Sequence, residues 1–152
     1  MSGISVPPGL FTVFPRLAAA RIEVTSPRDA RYNCVAWAAG ESARWWWPDP
    51  QGTFFWPHGA PREESLAAFI DAFRSLGYET CSDGALEAAC ERIAIFALHG
   101  VPTHVARQLT SGEWTSKLGR SVDLSCALSE LEGEVYGTVA QFMRRSIGPA
   151  RA

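Results

Sequence analysis

One stretch of the chain carries apolar residues at a spacing of three to four, which is the period of an amphipathic helix. The positions on its shared apolar face are Leu66, Phe69, Ile70, Phe73 and Leu76. Pro61 suits the first turn of a helix, where its missing N–H is not needed, and Gly77 suits a C-terminal cap. The spacing predicts a core helix over 61–76, to which no chemistry is assigned.

Further along the chain the pattern changes to runs of β-branched, aromatic and alternating apolar residues, which are typical of strands. Strands are predicted at 78–81, 92–98, 102–109, 113–117 and 135–144, with a hairpin turn at Ser111-Gly112 and a short helix at 128–132. Because short turns join neighbouring strands, we expect an antiparallel sheet. Helices followed by strands predict an α+β fold.

A second, shorter helix is predicted between Asn33 and Gly40. Asn33 is a good N-cap residue, and Cys34 follows it in the first turn. The positive end of the helix dipole and the free backbone N–H groups both favour a thiolate, which is the nucleophilic form of cysteine. Cys34 is therefore a candidate nucleophile, with a buried structural thiol as the alternative.

Length and charge narrow the class of protein. The chain has 152 residues and a net charge of −2, which predicts one domain and gives no electrostatic footprint for nucleic acid or a membrane. Neither a long apolar run nor a signal peptide is recognisable, so a cytoplasmic location is expected. The expected organisation is an irregular arm over 1–30 with a short strand around 21–24, a domain over 31–145 and a tail over 146–152.

The cysteines and histidines do not have the spacing of metal ligands. Cysteines stand singly at 34, 81, 90 and 126, without a C-x-x-C pair. Pro102 lies between His99 and His104 and prevents a helical pair of ligands there. No metal or cofactor is predicted, and the thiols are expected to be reduced.

Six tryptophans, at 37, 45, 46, 47, 56 and 114, stand out in a chain of this length. Four of them lie in a Pro- and Gly-rich loop over 45–57. They either cap the core beneath this loop, which is the preferred interpretation, or wall a cleft beside Cys34. In the second case the candidates for substrate binding are Trp37, Trp47, Trp56 and Trp114.

His104 follows Cys34 by 70 residues and lies near the start of a predicted strand. A cysteine nucleophile needs a base within hydrogen-bond reach, and a third polar group that orients the base. A helix start packed against a strand that carries the histidine can supply such a pair. His104 is therefore the candidate base, with a satisfied core histidine as the alternative, whereas His58 and His99 are expected in a loop and at a strand end.

The motifs around these two residues resemble those of papain-like thiol hydrolases, in particular the compact NlpC/P60 and CHAP amidases. Asn33-Cys34-x-x-Trp37-Ala38 is similar to the CHAP cysteine motif, and His104-Val105-Ala106 is similar to the histidine strand of both groups. The set YNCVAWAAG, WWWP, PTHVARQL and WTSKLG also resembles an uncharacterised bacterial family. The resemblance implies a papain-like α+β fold, with N-terminal helices packed on an antiparallel β-sheet.

The resemblance also implies roles for further residues. Papain has an oxyanion-binding glutamine six residues before its cysteine, where this chain has Arg28, so the backbone N–H of Cys34 would take that role. The orienting residue stays open, and the candidates are Ser116, Thr115, Gln108 and Asp123. A two-residue turn at 111–112 would bring Thr115 and Lys117 to the face of His104, and a three-residue turn would bring Ser116 there. Asn33, Arg107 and Lys117 are further candidates for substrate binding.

Two functions from different classes follow. The first is a cysteine peptidase, amidase or acyltransferase that acts through a Cys34–His104 thiolate and a thioacyl intermediate. Its substrate would be a protein, a peptide or a peptidoglycan stem peptide. As a bacterial effector it would need a secretion system, and an immunity or regulatory protein would be its partner. The second is an inactive papain-like module that binds its ligand in an aromatic cleft. Neither involves nucleic acid or a membrane.

Overall fold

The computed structural model describes residues 6–146, which form a seven-stranded sheet with short helices. The strands are β1 (Glu23–Ser26), β2 (Glu79–Cys81), β3 (Cys90–Leu98), β4 (Val101–Gln108), β5 (Trp114–Lys117), β6 (Asp123–Ser125) and β7 (Thr138–Ser146). The α-helices are α1 (Leu10–Val13), α2 (Cys34–Ala38) and α3 (Leu66–Arg74), and 3₁₀ turns span Pro15–Ala19 and Leu128–Glu130. The strand order is β1-β6-β5-β4-β3-β7-β2, and each neighbouring pair is antiparallel.

The expected papain-like α+β fold, with N-terminal helices packed on a sheet, is wrong. The α-helices of the described residues contain four, five and nine residues, so the domain is β-rich. The helix expected over 61–76 begins only at Leu66, because the Ser65 side chain caps it by accepting from the N–H of Ala68 at 3.1 Å. The residues from Pro61 to Ser65 lead into the helix without belonging to it.

The predicted strands are present, and their turns set the register of the sheet. His99 and Gly100 connect β3 to β4 with φ of 52° and 81°, as a two-residue type I′ hairpin requires. Between β4 and β5 the N–H of Leu109 donates to the carbonyl of Glu113, which closes a three-residue loop with Gly112 at a φ of 96°. Strand β6, which the pattern did not predict, pairs with β5 and β1.

A hydrophobic core packs on each face of the sheet. On one face, α2, α3 and the tryptophan loop form a core with Ile93, Ile95, Val105 and Met143. The residues that pack on the other face are Leu10, Phe14, Leu17, Ala94, Phe96, Ala106 and Leu124. The N-terminal segment, expected to be an irregular arm with a short strand around 21–24, supplies α1, a 3₁₀ turn, strand β1 and part of the second core.

Two further expectations concern the ends of the chain and membranes. Ser146 ends β7, and the rest of the predicted tail, 147–152, lies outside the described residues. Among residues 6–146, no helix is long and apolar enough to cross a membrane.

Candidate active site

Asn33 fixes the start of α2. Its side-chain oxygen accepts from the N–H of Ala36 at 3.2 Å and from the N–H of Trp46 at 3.1 Å. Its amide nitrogen donates to the carbonyl of Trp46 at 2.7 Å. The predicted N-cap is therefore present, and the same side chain also ties the tryptophan loop to the helix. With all three bonds made and only 2% of its surface exposed, Asn33 serves the scaffold.

Cys34 lies directly after this cap and is 6% exposed. Burial raises the pKa of its thiol to about 11, because a thiolate would lose its hydration. The backbone N–H groups of Val105, Val35 and Cys34 itself, and the charge of Lys117, lower this pKa only in part. The expected thiolate is therefore wrong for this conformation: the dipole of a five-residue helix is too weak to offset desolvation.

The sulfur of Cys34 faces an open edge of β4. Strand β5 pairs with β4 only at Arg107↔Thr115 and Gln108↔Trp114, so the two strands part before Val105. The start of α2 fills the gap, where the N–H of Val105 points at the sulfur. The thiol thus sits beside the peptide unit that joins His104 to Val105.

His104 is fully buried and lacks hydrogen-bond partners. Neither Nδ1 nor Nε2 has one among the described residues. The imidazole instead stacks on the ring of Tyr136, with centroids 4.1 Å apart and planes at 11°, and meets the ring of Phe96 edge-on at 5.3 Å. Burial lowers the pKa of His104 to about 3, so the imidazole is neutral. Two unpaired polar atoms in a core are costly and need an explanation.

Cys34 and His104 meet at the same point of β4 from opposite faces of the sheet. Cys34 and Val105 belong to the first core, whereas the ring of His104 contacts Phe96 and Tyr136 of the second. The imidazole nitrogens make no hydrogen bond within residues 6–146, so the thiol and the imidazole, on opposite sides of the strand, are not joined.

The expected orienting residues are engaged elsewhere. Thr115 Oγ1 accepts from the indole N–H of Trp37 at 3.0 Å, and Gln108 Nε2 donates to the carbonyl of Gly84 at 3.1 Å. Asp123 accepts from the hydroxyl groups of Tyr32 and Thr25. The three-residue loop places Ser116, which is buried, on the face of His104, and places Thr115 and Lys117 on the opposite face.

Lys117 anchors the chain segment that precedes Cys34. Its ammonium group donates to three backbone carbonyls, those of Asp29 at 2.5 Å, Tyr32 at 3.0 Å and Gly119 at 2.6 Å. The hydroxyl of Tyr32 in turn donates to Asp123 at 2.9 Å. Lys117 is fully buried with all three of its donors used, so it holds the scaffold rather than a substrate anion.

The tryptophans of the 45–57 loop pack on the core, as expected if they cap it beneath the loop. Trp56 is 4% exposed and packs on Phe69 of α3 at 5.1 Å, and Trp47 meets the same ring edge-on at 5.4 Å. Trp37 is half-buried beneath the guanidinium of Arg107, 4.9 Å from its centroid. Trp114 is half-buried and lies 6.1 Å from Phe142 on the other side of the sheet.

Tyr136 is the residue of the site that the sequence did not point to. It lies between Gly133 and Gly137, whose backbones are paired in both directions, at 3.0 and 2.9 Å. Two glycines four positions apart before a strand were a usable signal of a tight loop. The pattern cannot show, however, which ring that loop would cover.

A cavity of about 900 Å³ lies on the second face, between the N-terminal segment and loop 131–135. Phe14 forms part of its wall, and the ring of Phe14 lies 5.0 Å from that of Tyr136. Neither Cys34 nor His104 lines this cavity. His104 is therefore linked to the wall of this cavity through the rings of Tyr136 and Phe14.

Comparisons with known proteins place the chain without assigning an activity. Searches of curated proteins and of solved structures found no match. One family model, a domain of unknown function (DUF7689), matches residues 23–144. Helix α1 and the 3₁₀ turn after it precede the matched region. Since the match covers most of the 152 residues, the chain belongs to the DUF7689 family.

Proposed function

We propose that this domain is a thiol-dependent acyl-transfer enzyme, a hydrolase or transferase with Cys34 as its nucleophile and His104 as its base. One observation supports this best: His104 is fully buried and neutral, neither of its nitrogens has a hydrogen-bond partner within residues 6–146, and its peptide bond to Val105 carries the N–H that faces a thiol at a helix start. Perturbed, unpaired groups of this kind are concentrated at functional sites.

In the proposed reaction the sulfur of Cys34 attacks the carbonyl carbon of an amide or ester, and the thiol proton passes to a free nitrogen of His104. The tetrahedral adduct collapses, the bond from the carbonyl carbon to the leaving group breaks, and His104 returns the proton to the leaving amine or alcohol. Water or an amine, deprotonated by His104, then attacks the thioester and releases the thiol. Backbone N–H groups at the helix start would hold the oxyanion.

The pKa values make this a reaction of a neutral pair. With the thiol pKa near 11 and the imidazole pKa near 3, both groups are uncharged at neutral pH. The proton must therefore move as the carbon–sulfur bond forms, which is general-base catalysis rather than attack by a preformed thiolate. Because both groups are buried and approach β4 from opposite faces, a local movement at the edge of β4 must both admit the substrate and bring the imidazole to the thiol.

The proposed substrates are peptides or amides, including isopeptides and peptidoglycan stem peptides. The sequence resemblance to thiol hydrolases supports this chemistry through the motifs at Cys34 and His104, and not through the fold. We place the activity in the cytoplasm, where thiols stay reduced. All four cysteines are free in the structure. Action on a cell wall would need export.

A small activated ester tests the proposal directly. The protein is treated with p-nitrophenyl acetate, and acetylation of each cysteine is followed by peptide mass spectrometry. We expect acetyl transfer to Cys34, and a fall of about 10²–10⁴-fold in its rate in His104→Ala, the usual contribution of general-base catalysis. Cys34→Ala should abolish the burst of p-nitrophenolate.

Cys126 is a matched internal control. It is similarly buried, at 9% exposed against 6% for Cys34, and burial raises its pKa to about 12. Equal acetylation of Cys34 and Cys126 would contradict the proposed enzymatic function and favour a non-catalytic binding module. The same conclusion would follow if His104→Ala did not change the rate at Cys34.

A further inference from the structure

The ring of Tyr136 covers one face of the imidazole of His104. The two rings are almost parallel, at 11°, with centroids 4.1 Å apart, while the edge of Phe96 closes a second side. No residue among those described hydrogen-bonds to the imidazole nitrogens. Among the described residues, only aromatic contacts therefore set the plane of the imidazole ring.

The fold holds Tyr136 against His104 by several independent features. Gly137 has a φ of 76°, and a Cβ added to it would lie 2.0 Å from the carbonyl oxygen of Ala97. The hydroxyl of Thr103 donates to the carbonyl of Tyr136 at 2.6 Å. The glycine thus permits the close approach, and the threonine fixes the backbone of Tyr136 to β4, one residue before His104.

Strand β3 is irregular at the same level. Its register shifts between Phe96 and Ala97 relative to β4, and between Ile95 and Phe96 relative to β7. Register shifts of this kind turn side chains away from a regular sheet position, and they occur often beside active sites. Here two of them flank the ring that closes the edge of the His104 site.

We propose that Tyr136 is the positioning residue of His104, and that its aromatic face stabilises the imidazolium formed when His104 takes the proton of Cys34. This inference rests on the proposed function. The face of an aromatic ring carries negative potential and attracts a cation placed over it. In a buried site without a carboxylate partner for His104, that attraction supplies what a hydrogen-bonded acid otherwise would.

The phenol of Tyr136 itself stays neutral. Burial raises its pKa, and the charge of a Cys34 thiolate would raise it further, so the phenol does not compete with His104 for the thiol proton. The titratable groups near the imidazole are thus Tyr136 and, across the strand edge, Cys34. The ring of Phe96 completes the surroundings of the imidazole.

The test compares three variants in the acetylation assay. Tyr136→Leu removes the ring face and should lower the rate at Cys34 by about 2- to 30-fold, the range of a cation–π contact. Tyr136→Phe keeps the ring face and should stay within about 2-fold of the natural protein. Phe14→Leu, a matched change in the next ring outward, should leave the rate unchanged, because Phe14 contacts Tyr136 and not His104.

A second readout does not depend on activity. The imidazole protons of His104, assigned by comparison with His104→Gln, should show the ring-current shift of a stacked ring in the natural protein and in Tyr136→Phe, and should lose it in Tyr136→Leu. Thermal unfolding of each variant separates a folding defect from a local one.

The outcomes distinguish the two proposals. If His104→Ala does not slow acetylation of Cys34, the proposed function and this inference fail together. If His104→Ala slows it but Tyr136→Leu behaves as the natural protein, only the inference fails. Equal losses in Tyr136→Leu and Tyr136→Phe would transfer the role to the hydroxyl and would also overturn it.

Discussion

Buried polar side chains in this protein are of two kinds. Asn33 and Lys117 use their donors and acceptors fully on the backbone and so stabilise the segment that carries Cys34. His104, equally buried, has no such partner within residues 6–146. The first kind explains the shape of this part of the molecule, and the second is the observation on which the proposed function rests.

His104 makes stability depend on pH. The unfolded chain takes up a proton near the ordinary pKa of 6.5, whereas the folded protein does so only near 3. Between these values the unfolded state binds more protons, so stability falls as the pH falls. We expect the free energy of unfolding, measured with urea, to drop by about 2–3 kcal/mol between pH 7.5 and pH 4.5 from this residue alone.

The control for this effect is His104→Leu. Between pH 7.5 and pH 4.5 its free energy of unfolding should fall by about 2–3 kcal/mol less than that of the natural protein. Carboxylates such as Asp29, whose pKa Arg31 lowers to about 2, contribute the same acid dependence to both proteins. If the free energy of unfolding of the two proteins depended on pH in the same way, the pKa of His104 would not be lowered in the folded state.

Residue identities at the site could be predicted, but their environments could not. Asn33 as a cap, Cys34 at a helix start and His104 on a strand follow from local sequence. The thiolate expected for Cys34 does not, because burial depends on residues far away in the chain. For the same reason the sequence could not show that Thr115 and Asp123 bond to Trp37 and Tyr32.

At the scale of elements, the approach of loop 133–137 to β3 is the most constrained contact. Gly137→Ala would place a methyl group 2.0 Å from the carbonyl oxygen of Ala97 at a φ of 76°. We expect a loss of more than about 3 kcal/mol in urea unfolding, because backbone strain and overpacking each cost about 1–3 kcal/mol.

Gly100→Ala separates the two causes. Gly100 has a φ of 81°, and no atom lies within 4 Å of an added Cβ. It should therefore show only the strain, about 1–2 kcal/mol. If both substitutions lowered the free energy of unfolding equally, the close packing around Gly137 would not contribute to the loss.

Alternating and apolar runs predicted the long strands well, because β3 and β4 bury both faces over many residues. Short elements carry too few residues for a period, so three-residue β6 was missed. The start of α3 was missed because a serine cap at Ser65 outweighed the helix-compatible residues before it. The loop between β4 and β5 left two registers open, and only the pairing of Gln108 with Trp114 decides between them.

For the whole molecule, the N-terminal segment is part of the core. Leu17 has no exposed surface, although it precedes the region that the family model matches. Leu17→Ala should lower the free energy of unfolding by about 2–5 kcal/mol, as for other buried leucines. Phe11→Ala, in the same segment but 41% exposed, should change it by less than about 0.5 kcal/mol. Similar small effects from both would mean that the segment is only loosely attached.

The fold class was mispredicted because the number of helices in a sequence does not show how many residues those helices contain. Two predicted helices are present, but α2 has five residues and α3 has nine, while seven strands form a single sheet. A motif such as Asn33-Cys34 resembles those of thiol enzymes through a few residues around one turn. Such short matches carry information about chemistry and little about the architecture that surrounds it.

The anchoring role of Lys117 has a consequence for the surface of the protein. The chain has 14 lysines and arginines, and Lys117 is the single lysine among them. Since its amine is fully buried on three carbonyls, the side-chain cations that meet solvent are guanidinium groups. Enzymes that acylate lysine side chains, or cut the chain after lysine, can act only once β5 separates from the segment before Cys34. Modification of this one amine would therefore register the opening of the site itself.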